Sequence, residues 1–384
     1  MINESNILRI PGPSPIPPSV QRAMSQPMIG HRGQETSEMM QRIKPELKKV
    51  FGTKQDVMII TGSGTSGLET AAVNVASAGD EVLVLVSGSF GDRFAKICET
   101  YEMKTHRIEV DWGENIVVDD VAEFLKENKN IKAVFMTQCE TSTGILNPVE
   151  EISKAIQDNS DALIVVDGVS CVGGVVTEMD AWGVDVFVTG SQKAMMLPAG
   201  LTFIAVSDKA WKAIDDNKEP RFYLDLRRYR DNLDKDTTPF TPALSLIFGL
   251  EQALNLLNEE GLDNVYARHT LMKDMTRAAM KALNVPLLTD DDVASATVTA
   301  VKPDSFDPEA LRKSVKAKFG LALAGGQAHL KGEIFRIGHM GYCTPADVLQ
   351  YIGIIELGIS DIGAEVELGA GVRAAQEVYL KQNN

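Results

Sequence analysis

Two apolar runs in the middle of the chain each lead to a residue that can do chemistry. Leu163-Ile164-Val165-Val166 ends in Asp167. Val186-Phe187-Val188-Thr189-Gly190-Ser191-Gln192 leads to Lys193, 26 residues after that aspartate. Taken singly, the aspartate could cap a helix or close an ion pair, and a lysine after a polar turn is most often solvated. A third feature makes the pair more specific. In Gly62-Ser63-Gly64-Thr65-Ser66-Gly67 an apolar run gives way to a helix-like segment through small residues. Such a turn leaves backbone N–H groups at a helix N-terminus, where they cradle phosphate. A lysine amine forms a Schiff base with an aldehyde. A carboxylate keeps a pyridine nitrogen protonated, so that the ring acts as an electron sink. Lysine, carboxylate and phosphate cradle together are what pyridoxal phosphate requires.

The glycines also satisfy G-x-G-x-x-G, which invites a dinucleotide reading. That reading needs a carboxylate after the next strand, to hold the ribose hydroxyls. The next run, Val82–Val86, is followed by Ser87, Gly88, Ser89 and Phe90 instead. The phosphate cradle survives; the dinucleotide does not.

The elements that must position these residues follow a regular alternation. Apolar runs at Val57–Ile60, Val82–Val86, Ala133–Met136, Leu163–Val166, Val184–Val188 and Thr202–Val206 read as strands buried on both faces. Segments such as Leu68–Ala76 and Val121–Asn128 read as helices between them, which predicts a mainly parallel α/β sheet. An amphipathic helix is predicted over Gln34–Phe51, with Pro45 interrupting its pattern. The prolines of residues 1–20 predict an extended arm. Past Pro242 the pattern changes to long helices over Leu244–Asn258 and Asn264–Leu283. Strands at Ser295–Val301 and Glu333–Ile337 then mix with helices at Pro308–Phe319 and Pro345–Leu357. The expected division is an arm (1–20), a large cofactor-binding domain (21–250) and a smaller α+β domain (251–384).

The chain has 384 residues, with 53 Asp+Glu against 38 Lys+Arg and a formal charge of −15. That balance lacks the basic footprint of a nucleic-acid binder. It leaves small anions open, because a pocket can be locally positive in an acidic protein. No apolar run reaches the roughly 18 residues of a membrane helix. The four cysteines form no CxxC, and neither they nor the five histidines have ligand spacing, so no metal is expected. The polar, proline-rich start is unlike a signal peptide, and a cytoplasmic protein is expected.

With these residues in hand, the chain resembles the class V aminotransferases of pyridoxal-phosphate fold type I, in the alanine–glyoxylate and serine–glyoxylate group. The resemblance runs nearly end to end. It rests on Pro11-Gly12-Pro13, Gly30-His31-Arg32, Gly62-Ser63-Gly64-Thr65, Glu140-Thr141-Ser142-Thr143-Gly144, the Asp167 strand, Ser191-Gln192-Lys193 and Phe335-Arg336-Ile337-Gly338. It implies a large domain with a seven-stranded type of sheet between helices, a smaller C-terminal domain, and a homodimer with shared sites. Lys193 would carry the cofactor and move the substrate proton. Asp167 would pair with the ring nitrogen. Phe90, where many relatives have tryptophan, would stack on one ring face and Val169 would cover the other. Ser142 or Thr141 would donate to the ring oxygen, and Ser63, Gly64, Thr65 and Gln192 would hold the phosphate. Thr238 or Thr241 would complete the partner's cradle, although the tyrosine some members carry there is missing. Arg336 would bind the substrate α-carboxylate, and Gly30 and His31 would lie at the entrance. The implied reaction moves an amino group from a small amino acid, alanine or serine first, to a 2-oxo acid such as glyoxylate by a ping-pong route. A ureidoglycine donor is the near alternative. A cysteine desulfurase is a remoter one, since Gln192 stands where that group has histidine and Leu323–Gly332 contains no cysteine.

Overall fold

A computed structural model describes residues 6–382. Residues 1–5 of the expected arm lie outside the described residues. Seven strands form the central sheet: β1 (Val57–Gly62), β2 (Glu81–Val86), β3 (Lys104–Glu109), β4 (Ile131–Thr137), β5 (Leu163–Asp167), β6 (Val186–Gly190) and β7 (Gly200–Val206). They lie in the order β1-β7-β6-β5-β4-β2-β3. Only β7 runs against its neighbours. β5 and β6 are buried along their whole length, as their unbroken apolar runs require. β3 was not expected. It is the polar stretch Lys-Thr-His-Arg-Ile-Glu, half exposed at the sheet edge, and so lacks the apolar run that marks its neighbours.

Helices cover both faces. α1 (Gln34–Phe51) matches the predicted span and continues through Pro45 without a break, ending at Gly52 in the left-handed region. α2 (Gly64–Val75) begins directly after β1, and α3 (Ser89–Thr100) follows β2. The first core runs from Val20 to Val265. α4 (Leu244–Glu260) belongs to it, and α5 (Leu262–Ala282) leaves it, since Met272 and Met275 lie in a second core that extends to Ala375. Around that second core lie α6 (Pro308–Phe319), α7 (Pro345–Asp361) and a small antiparallel sheet. Its strands are β8 (Val298–Val301), β9 (Ala324–Gly325) and β10 (Phe335–Gly338), in the order β8-β10-β9.

The N-terminal arm corrects one expectation. It is not extended to residue 20: a helix starts at Pro18 and runs to Met24. Proline is tolerated in the first helical turn because its missing N–H would be unpaired there anyway. Upstream, Ile7–Leu8 pairs in parallel with Leu321–Ala322, so the arm ties the chain's start to the second core.

Candidate active site

The carboxyl ends of β1, β2, β5 and β6 lie on one edge of the sheet, where open α/β sheets place their ligands. β1 turns through Ser63, whose side chain caps α2 by accepting from the Ser66 amide at 3.3 Å. The amides of Gly64 and Thr65, in the first turn of α2, have no intrahelical acceptor and face the cleft. The glycine pattern now has a physical reading. A Cβ on Gly62 would stand 2.2 Å from Ser66 Oγ, and one on Gly67 would stand 2.2 Å from Thr202 Oγ1, so both serve close helix packing. At Gly64 a Cβ would meet Val169 at 3.0 Å, so this glycine lets the start of α2 pack closely against Val169.

Asp167 ends β5. Its Oδ1 accepts from the Val169 amide at 2.8 Å, and the carboxylate borders the cleft. Burial, more than any charge, pushes its pKa up to about 7. Lys193 follows β6 on a turn held by Ser191, whose Oγ donates to Pro198 O at 2.6 Å. Its ammonium donates to Pro11 O, and its own carbonyl accepts from Ser14 Oγ at 2.6 Å. The arm therefore lies over the lysine, close enough that a Cβ on Gly12 would collide with its side chain. Burial brings the Lys193 pKa down to about 8, and Arg336 and Arg93 add repulsion.

Ser63, Gly64, Thr65, Phe90, Asp167, Val169, Gln192 and Lys193 line one cavity of about 300 Å³. A second, of about 680 Å³, shares Gly12, Phe90 and Lys193 with it and adds Thr141 and Arg336. Arg336, on β10, is held across that space by Nε to Gly325 O at 2.9 Å and Nη1 to Thr141 O at 2.8 Å. The donor set fits pyridoxal phosphate. The first α2 amides are free, Gln192 brings a side-chain amide to the same cavity, and a buried carboxylate and a depressed lysine face that space.

Several expected residues are elsewhere. Ser142 is fully buried, its hydroxyl donating to Glu140 Oε1 at 2.5 Å, and it borders neither cavity. Thr141 does border one, and its Oγ1 lies 2.5 Å from Ser170 Oγ. Gly30, His31, Thr238 and Thr241 line neither cavity of their own chain.

Two residues escaped sequence reasoning. Glu140 is buried and accepts from the amides of Phe90, Gly91 and Ser142 at 3.0–3.1 Å, fixing the start of α3 beneath the Phe90 ring. Arg93 lies over that ring, 4.7 Å from its centre, and donates to Thr65 Oγ1 at 3.3 Å. Its place three residues after Phe90 on a helix was the available signal for a cation beside the cradle.

A family model described as aminotransferase class-V matches residues 11–349. A soluble hydrogenase small subunit from a Synechococcus species is 43% identical over 98% of this chain and 99% of its own. The L-aspartate–glyoxylate aminotransferase of Paracoccus denitrificans is 35% identical over 98% and 97%. The serine–glyoxylate aminotransferase of Hyphomicrobium methylovorum is 37% identical over 97% and 94%. Among solved structures, pyridoxamine–pyruvate aminotransferase from Mesorhizobium loti superposes with a TM-score of 0.95 at 30% identity, covering 100% of this chain and 99% of that one.

Proposed function

We propose, from the premise that this chain belongs to the class V aminotransferases, that it transfers the amino group of a small α-amino acid to glyoxylate. It is a pyridoxal-phosphate-dependent aminotransferase. The observation that carries the reading is the convergence of Lys193, Asp167 and Arg336 on two cavities that meet at Lys193. The cofactor, when bound, supplies the electron sink that lets an amino group leave one carbon skeleton and join another. Lys193 would hold it and, as a free amine, would take the substrate α-proton; burial, which brings its pKa down to about 8, keeps part of that amine neutral at physiological pH. Asp167 would pair with the ring nitrogen. Ser63, Gly64, Thr65 and Gln192 would hold the phosphate, Phe90 and Val169 would cover the two ring faces, and Thr141 would donate to the ring oxygen. Arg336 grips the α-carboxylate with a planar fork that lysine could not supply.

Acceptor and donor come from the relatives' names: glyoxylate from the Paracoccus and Hyphomicrobium enzymes, with aspartate and serine as their donors. Alanine and serine remain the donors expected from the sequence. All of these present the same α-carboxylate to Arg336, so Arg336 does not choose among them.

A homodimer would bring Gly30, His31 and Thr238 or Thr241 to the partner's cleft. Phe222 and Tyr223, exposed and packed around Phe240 beside those threonines, support such an interface. Four free buried thiols fit a reducing cytoplasm. No helix among the described residues is long and apolar enough to cross a membrane.

The test is spectroscopic. The purified protein with pyridoxal phosphate should show a visible band, which an amino donor alone bleaches and glyoxylate restores. Lys193→Ala should lose the cycle and keep the fold by circular dichroism. A wild type that gains no band on adding the cofactor would sink the reading.

A further inference from the structure

The larger cavity carries more positive charge than one carboxylate can use. Its walls include Lys193, Arg312, Lys331 and Arg336, against the single carboxylate of Glu309. This lies in a chain of formal charge −15. The two guanidinium groups meet at one residue. Arg336 Nε donates to the carbonyl of Gly325, while Arg312 occupies the place of that glycine's missing side chain: a Cβ there would stand 2.5 Å from Arg312 Nη1. Any other residue at position 325 would displace Arg312 from that place.

Each guanidinium is anchored on one side and open on the other. Arg336 uses Nε and Nη1 on the carbonyls of Gly325 and Thr141. Arg312, from α6, uses Nε on Leu323 O at 3.0 Å and Nη1 on Glu309. Neither Nη2 has a partner among the described residues, and neither does the Lys331 ammonium. Arg336 is committed to the α-carboxylate. What remains beside it is an anchored guanidinium with a free N–H edge and an unpaired ammonium.

From this geometry we propose that Arg312, assisted by Lys331, binds a second carboxylate, so that the preferred amino donors are dicarboxylic acids of aspartate or glutamate size. The proposal rests on the transaminase reading and specifies its substrate class. Glu309 orients Arg312 rather than competing for the ligand, because its carboxylate already accepts from Nη1 and leaves Nη2 exposed. A site built around a second anion discriminates strongly against donors that lack it, since its cations are then left unpaired.

The test compares aspartate, glutamate, alanine and serine in single-turnover half-reactions of the holoenzyme, read from the cofactor band. The wild type should favour a dicarboxylic donor by about tenfold or more in kcat/KM, on the scale of one charge-assisted contact. In Arg312→Gln the ratio of aspartate to alanine should fall by about 30-fold. Arg312→Lys should restore part of it, and Lys331→Gln, a change at an exposed position, should lower it by a few-fold. Calorimetry on the holoenzyme gives a readout free of turnover: succinate should bind more tightly than propionate in the wild type and lose that advantage in Arg312→Gln. A wild type that prefers alanine or serine, or an Arg312→Gln variant that slows all four donors equally, overturns the proposal and leaves the transaminase reading standing. If none of the four donors changes the band, the transaminase reading falls and takes the proposal with it.

Discussion

Asp167 is the residue whose state most depends on what fills the cleft. Burial raises its carboxyl from 3.8 to about 7, so the cofactor-free fold holds a proton that the unfolded chain releases near pH 4. The native state therefore binds more protons than the unfolded state between those values, and stability falls as pH rises from about 4 to about 7. A shift of that size corresponds to about 4 kcal/mol. Asp167→Asn removes the titration and keeps the acceptor for the Val169 amide. Without cofactor it should be more stable than wild type at pH 8 and similar at pH 4, by urea denaturation. With cofactor the order reverses, because the carboxylate gains a cationic partner; its loss should weaken cofactor binding by about 10–100-fold in a fluorescence titration. Equal stability of the two proteins at both pH values would refute the argument. Asp167 and Lys193 were legible in the sequence because the first ends an apolar run and the second follows one by a short polar turn. Glu140 was not, because its role depends on α3 packing against it from some 50 positions away, and Arg93 showed only as a cation one helical turn after Phe90, its contact with Thr65 being 28 residues distant.

At the scale of elements, the cleft depends on how α3 is pinned. Its first amides have no helical acceptor, and Glu140 takes those of Phe90 and Gly91 on one oxygen while its other oxygen takes Ser142. Gly88 makes room for this: a Cβ there would lie 2.4 Å from Glu140 Cγ. Glu140→Ala leaves three amides without their acceptor and should cost about 2–4 kcal/mol. Cofactor affinity should drop with it as the Phe90 ring loses its position, whereas Glu140→Gln, which keeps one acceptor oxygen, should fall between. Denaturation curves and cofactor titrations of the three proteins check both statements; an Ala variant with wild-type affinity would show that α3 is held by other means. The strands buried on both faces were readable for the reason that makes them strands. The start of α2 was read four residues late, because Gly64, Thr65 and Ser66 carry no apolar periodicity and are placed by the cradle and by packing. The pairing of Ile7–Leu8 with Leu321–Ala322 joins residues more than 300 apart, and no local pattern announces it.

Across the whole molecule, charge and cleft oppose each other: the exterior is acidic, while cations gather where the two cores meet. In the proposed homodimer, a second chain would complete the phosphate end of the cleft. Thr238 and Thr241 do not line the cavity of their own chain, and the Thr241 hydroxyl makes no hydrogen bond among the described residues, whereas Thr238 Oγ1 donates to Phe240 O at 2.7 Å. If these threonines serve a second copy of the chain, a site needs Lys193 from one subunit and threonine from the other. A dimer of one Lys193→Ala subunit and one Thr238→Val/Thr241→Val subunit then contains one site with both functions intact and one with neither. Co-expression with two affinity tags isolates that hybrid. Each parent dimer should be strongly impaired, and the hybrid should recover about half the wild-type rate per dimer, as two-fold symmetry requires. If the threonines act within their own chain, or only hold the loop, the hybrid can do no better than the average of its parents.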